Sequence, residues 1–234
     1  MCSSMNAQVS LSAGMGTIKG FTSDNSHFGF HGGLELPRNN DVTFYGRFGH
    51  YFSRINENSE QMITVYKEDY TIPDDVLPYN IQVPRSRTMN YTTIEGGTRY
   101  YIGNDYDNGF SGYGGTNFML LFNSVKEEYG NSFEDPYNII TDPNYTWQND
   151  YVVDPNNPGT GGEERGRIIN LAVGIQGGLK YTIPAVGTAY FDIGAQYIIL
   201  ATASNSIAEQ EFFDGGQFSQ LMFLFTVGFR KDLY

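Results

Sequence analysis

The chain has 234 residues, 40% hydrophobic and 15% aromatic, with 28 Gly, 18 Tyr and 17 Phe against one Trp and one Cys. A formal net charge of -12 argues against nucleic acid as a partner, and a single cysteine excludes an internal disulfide and speaks against a thiolate metal site. No run of about 18 apolar residues occurs, which excludes a transmembrane helix, whereas a mean hydropathy of -0.38 is compatible with a barrel whose strands are polar on one side only.

The opening MCSSMNAQ has the look of the tail of a secretory leader cleaved after Ala7. Residues 1–7 are therefore expected to be a residual leader or N-terminal extension, and 8–234 one domain. Lipidation of Cys2 is the weaker alternative, because a lipobox needs apolar residues before the cysteine and only Met1 stands there.

Period-two alternation predicts eight strands at roughly 8–18, 26–36, 42–55, 89–102, 110–123, 167–181, 188–201 and 218–232, each near or above the length that crosses a membrane at a tilt. In the sixth, Ile169, Leu171, Val173, Ile175 and Leu179 fall on one face, with Asn170, Gln176 and Lys180 on the other. The seventh sets Phe191, Ile193, Ala195, Tyr197 and Ile199 against Asp192, Gly194 and Gln196. In the last, Leu221, Phe223, Phe225, Val227 and Phe229 alternate with Gln220, Thr226, Gly228 and Arg230, while Met222 and Leu224 blur the second face. A strand lying between lipid and a polar interior has this pattern.

The connections sort by length. Residues 37–41, 103–109 and 183–187 read as short turns, with Asp107-Asn108-Gly109 suited to the positive φ of a tight hairpin; 56–88, 124–166 and 202–217 read as long polar loops, and 19–25 as a brief one. Short turns on one side and long loops on the other are the asymmetry of outer-membrane barrels, and the even strand count puts both termini in the periplasm. The expected fold is an all-β, eight-stranded antiparallel transmembrane barrel. Ten strands are the alternative, because Met62-Ile63-Thr64-Val65-Tyr66 is a further apolar pentad. A soluble eight-stranded calycin would need the opposite arrangement, an apolar interior and a polar exterior.

On these alternating segments and on the aromatic close from Val227-Gly228-Phe229 to Tyr234, the chain resembles the small outer-membrane β-barrel proteins of Gram-negative bacteria, of the OmpA/OmpX type and of the Bacteroidetes kind with Tyr/Asn-rich loops. The resemblance covers about residues 8–234. It implies outer-membrane lipids and lipopolysaccharide as surroundings, and barrel-insertion machinery that reads the last strand during assembly.

The register points His27, His31, Glu35, Tyr45, Arg47, Tyr91, Glu95, Arg99, Tyr113, Asn117, Gln176, Lys180, Asp192, Gln196 and Arg230 inward. Eight strands leave an interior that side chains fill. Ions out of water must pair, so Glu35, Glu95 and Asp192 are expected to meet Arg47, Arg99, Lys180 or Arg230 in a polar network. His27 and His31 lie four residues apart, about 13 Å along a strand and too far for one metal ion. His50 falls on the outward set with Phe48 and Phe52. No G-x-S-x-G occurs and no other histidine exists, so neither a catalytic site nor a cofactor is expected.

Loop 124–166 combines many acids with Tyr129, Tyr137, Tyr145, Trp147 and Tyr151, aromatics of the kind enriched on recognition surfaces. It is the candidate partner-binding loop, and 56–88, with Tyr66, Tyr70 and Tyr79, is its neighbour in composition. The expected function is non-enzymatic: a barrel that presents loops to other outer-membrane proteins as an accessory subunit, or reinforces the membrane. A narrow channel or small-solute transporter, and a lipid-modifying barrel enzyme, are the alternatives.

Overall fold

The computed structural model describes residues 9–23, 25–67, 79–129, 145–147, 163–204 and 219–233. These hold nine strands and no helix: β1 (Val9–Gly20), β2 (Ser26–Pro37), β3 (Val42–Lys67), β4 (Tyr79–Gly103), β5 (Gly109–Tyr129), β6 (Tyr145–Trp147), β7 (Glu163–Ile183), β8 (Gly187–Ala203) and β9 (Leu221–Leu233). Sheet order runs β2-β1-β9-β8-β7-β5-β4-β3, and a β2–β3 pairing joins its two ends, so eight antiparallel strands form a closed ring. The three-residue β6 stands outside that ring, pairing Val65 with Trp147 and Lys67 with Tyr145. Ten strands are not formed among the described residues. Met62–Tyr66 instead continues β3, and the predicted loop ends 56–67, 79–88, 124–129 and 163–166 are likewise strand.

The chain falls into two compact units: one within 1–54, 90–124 and 167–234, the other within 55–89 and 125–166. The first contains the short turns. Gly109 there adopts φ 52°, as the Asp-Asn-Gly sequence predicts, and Ala185 carries a positive φ of 66° between Pro184 and Val186. We refer to this side as the turn end and to the opposite side, where Gly20, Arg54, Asn90, Ser124 and Arg167 lie, as the open end.

Alternation then decides what each face holds. Phe28 is 46% exposed, Phe30 52%, Phe48 55%, Phe118 67% and Ile175 65%, while the residues between them are buried inside the ring. Leaving such side chains in water forgoes roughly 1.5–3 kcal/mol apiece, so the outward face is made for an apolar surrounding. That outside-in arrangement excludes a soluble calycin. The alternation slips at the open end of β8: the pairing shifts between Leu171 and Ala172, and both Ile199 and Leu200 face outward while Ile198 is buried.

Close approach inside the ring relies on glycine. A Cβ on Gly178 would stand 2.6 Å from the end of the Tyr113 ring, which lies across the β7 backbone, so the bare backbone is what lets that ring reach inward across a narrow lumen.

Candidate functional site

The interior of the ring has two layers. Toward the turn end, β2 supplies Glu35, β3 Arg47, β4 Glu95 and Arg99, β8 Asp192 and β9 Arg230, each at an inward position of its strand. Arg47 bonds Glu95 through Nη2 at 2.6 Å and Nε at 2.9 Å, and reaches Asp192 through Nη1 at 3.0 Å. Arg99 bridges Glu35 at 2.8 Å and Asp192 at 2.9 Å. Arg230 closes the chain on Glu35 at 3.2 Å. Three guanidinium groups thus face three carboxylates, and all six residues are buried.

Each carboxylate also accepts from one tyrosine hydroxyl: Glu35 from Tyr101, Glu95 from Tyr45 and Asp192 from Tyr113. Glu35 takes Thr43 as well, at 2.6 Å, and Glu95 takes the Asn117 amide, which in turn accepts from Gln196 at 3.1 Å. The Arg99 guanidinium lies 4.5 Å from the Tyr45 ring centre and 5.0 Å from that of Tyr113. Charge-assisted bonds of this density offset the desolvation of the ions, which is why the cluster can exist out of water.

Lys180 departs from the sequence expectation. Its ammonium donates to the carbonyls of Asp105 and Asn108 in the β4–β5 turn and to Thr182, so no carboxylate holds it. The Asp105 carbonyl also accepts the Asn108 N–H within the turn, and its second lone pair takes the ammonium, whose three protons suit this set of acceptors.

Toward the open end the interior changes character. Ile18, Tyr51, Tyr91, Met119, Leu121, Ile168, Ala172, Ile198, Met222 and Leu224 are all at most 3% exposed and come from seven of the eight ring strands. From the eighth, β2, His27 adds an imidazole edge-on to Tyr91 at 4.8 Å, with Nδ1 near the Phe52 carbonyl. Sequence reasoning missed this apolar collar because it assigned polarity to the whole interior. Its signal was present: Phe118-Met119-Leu120-Leu121-Phe122, Tyr197-Ile198-Ile199-Leu200 and Leu221-Met222-Phe223-Leu224-Phe225 are apolar on both faces, as strands buried on both sides are.

His31 lies between the layers and its Nε2 is 2.8 Å from the Tyr190 hydroxyl. His50 is outward, 3.0 Å from Thr92 and edge-on to Phe52. Among the described residues no group of three His, Cys, Asp or Glu is placed to hold a metal ion.

The second unit holds its own charges. Arg87 is bonded to Glu127 at 2.7 Å, both buried, and on the exposed face Lys126 links Glu128 at 2.6 Å and Glu163 at 2.9 Å, with Arg165 also on Glu163. Those last bonds, from Lys126 first and then Arg165, hold the Glu163 carboxyl below the usual range. Of the candidate recognition aromatics, Tyr129 ends β5 and Tyr145 and Trp147 belong to β6, whereas Tyr137 and Tyr151 lie outside the described residues.

No known protein-family profile matches the chain, and no curated protein matches its sequence. Among solved structures, a major outer membrane protein from Thermus thermophilus superposes with a TM-score of 0.51 at 12% identity, over 97% of this chain and 99% of that one. Neisserial surface protein A gives 0.43 at 13% identity over 95% and 94% of the two chains. Ail, the attachment invasion locus protein of Yersinia pestis, gives 0.42 at 14% identity over 97% and 100%. At such identities the likeness is one of fold, and the chain has the fold of the eight-stranded outer-membrane β-barrels.

Proposed function

We propose that the chain is a non-enzymatic integral protein of the bacterial outer membrane, a sealed barrel that holds extracellular segments for contact with another outer-membrane protein. The observation that carries this reading is the pairing of an apolar exterior with an interior closed twice over, by the Glu95–Arg47–Asp192–Arg99–Glu35–Arg230 network and by the apolar collar. Val9 and Leu233 pair at the turn end, which supports periplasmic termini and extracellular 56–88 and 124–166.

Planar bilayers test the seal: the reconstituted protein is expected to give no conductance steps above background, and steady steps would favour the channel alternative. Extraction from the native membrane in mild detergent tests the contact. Stoichiometric co-migration with another outer-membrane protein, lost when 130–162 are deleted, is the expected result; a lone barrel in native electrophoresis would remove the accessory role.

A further inference from the structure

Strands β9, β1, β2 and β3 carry their outward residues in rows. Lys19 stands opposite both Phe223 and Ser26, and Thr17 opposite both Phe225 and Phe28. The β2–β3 register, Gly29 with Tyr51 and Phe30 with His50, extends the same rows to Phe52 beside Phe28 and Arg54 beside Ser26. Arg54 fits this alignment, since its Nη1 donates to the Ser26 carbonyl at 3.0 Å. The outermost row at the open end therefore reads Lys19, Ser26, Arg54.

The next two rows toward the turn end form an aromatic shelf. Phe28 meets Phe30 edge-on at 5.7 Å and Phe30 meets Phe52 at 5.6 Å, and all three rings are about half exposed. Among the described residues of these four strands, up to Arg54 in β3, the carboxylates are Glu35 and Asp232, and both point inward. Two cations without a neighbouring acid among the described residues thus sit directly at the edge of an apolar surface.

We infer that Lys19 and Arg54, with the Ser26 hydroxyl between them, bind the phosphate of a phosphorylated glycolipid of the outer leaflet, whose acyl chains lie along Phe28, Phe30 and Phe52. Two interstrand steps of about 4.8 Å separate the backbones of Lys19 and Arg54 by about 10 Å, a gap that their long side chains close onto one anion. Arg54 uses one donor on Ser26 and keeps others for the phosphate. An inorganic anion would use the cations and ignore the shelf, whereas a phosphate attached to acyl chains uses both. The inference rests on the outer-membrane reading and names the lipid contact of that surface.

Native mass spectrometry of the full chain, loaded in parallel with phosphorylated lipid A and with the same lipid lacking phosphates, tests it. The phosphorylated form is expected to be retained preferentially. Lys19→Gln and Arg54→Gln are each expected to weaken retention about fivefold, and the pair about 25-fold. Lys19→Arg should retain the lipid, and Lys231→Gln, at the turn end, should leave it unchanged. Equal retention of both lipids, or equal retention by the wild type and the double variant, would overturn the site. Should the double variant fail to fold, as read by its heat-dependent gel migration, the contrast between Lys19→Arg and Lys19→Gln decides. Insertion of the wild type into phosphatidylcholine vesicles without any preference for phosphate would refute the site alone, and failure to insert would refute the membrane reading with it.

Discussion

The two halves of the barrel interior solve one problem by opposite means. Near the turn end, three arginines and three carboxylates fill the lumen with charge that is stable only because every ion faces a counter-ion and every carboxylate also accepts from a tyrosine. Near the open end, methionine, leucine and isoleucine fill most of it by packing, with Asn170 buried between Ile168 and Ala172. The first half is sensitive to charge and indifferent to a missing methyl group; the second is the reverse. Enclosure therefore decides what is buried here, and polarity does not.

The sharpest way to break that contrast is to remove one ion from the network. Arg47→Met leaves Glu95 and Asp192 short of their shared partner, and urea unfolding in lipid vesicles is expected to show a loss of about 3–5 kcal/mol. In the collar, Leu121→Ala should cost about 2–5 kcal/mol in the same assay, and Leu121→Asn should admit water to that layer without creating a conductance, because the charged layer still closes the path. Bilayer steps in the Asn variant would show that the collar alone is the barrier.

Outside the ring the ordering inverts, since charge is what the surface excludes. Phe30→Arg places a cation midway along an outward strand face and is expected to cost about 2–4 kcal/mol in vesicles. The smallest effect belongs to the second unit, where Lys126→Ala removes two solvent-accessible ion pairs and should not shift the unfolding midpoint measurably at physiological salt. A lowered Glu163 carboxyl contributes above its unfolded value and loses that contribution as pH falls through the lower folded one. Its contact with Lys126 should thus be constant at neutral pH and weaken only on acidification below the ordinary carboxyl range, as followed by the Glu163 carboxyl resonance.

What the sequence made legible follows from the same contrast. Wherever a polar inward face opposes an apolar outward one, as from Ile175 to Lys180 or from Phe225 to Arg230, alternation identified both the strand and the direction of every side chain. Where both faces are apolar, alternation carries no information, so Met222 and Leu224 read as noise although they are core. The bulge that turns Ile199 and Leu200 to the same side was hidden for that reason too. Strand length was legible only to the edge of the apolar band: β3 continues to Lys67 through Asn56, Glu57 and Asn58, a polar run in which alternation carries no strand signal. The Lys180 contact depends on how a turn folds back, which no side-chain pattern encodes.

The pairing of β1 with β9 sets the order in which this object can come into being. Val9 lies opposite Leu233 and Gly20 opposite Met222, so the seam joins the two most distant strands of the chain, whereas each other ring contact is between strands consecutive around the ring and near in sequence. Hairpins can zip as they emerge, yet the sheet keeps two bare edges until the ninth strand arrives, and bare edges are intolerable in hydrocarbon. Insertion is consequently all-or-nothing and posterior to synthesis, with an assisting surface needed to hold the open edges apart until the first strand meets the last.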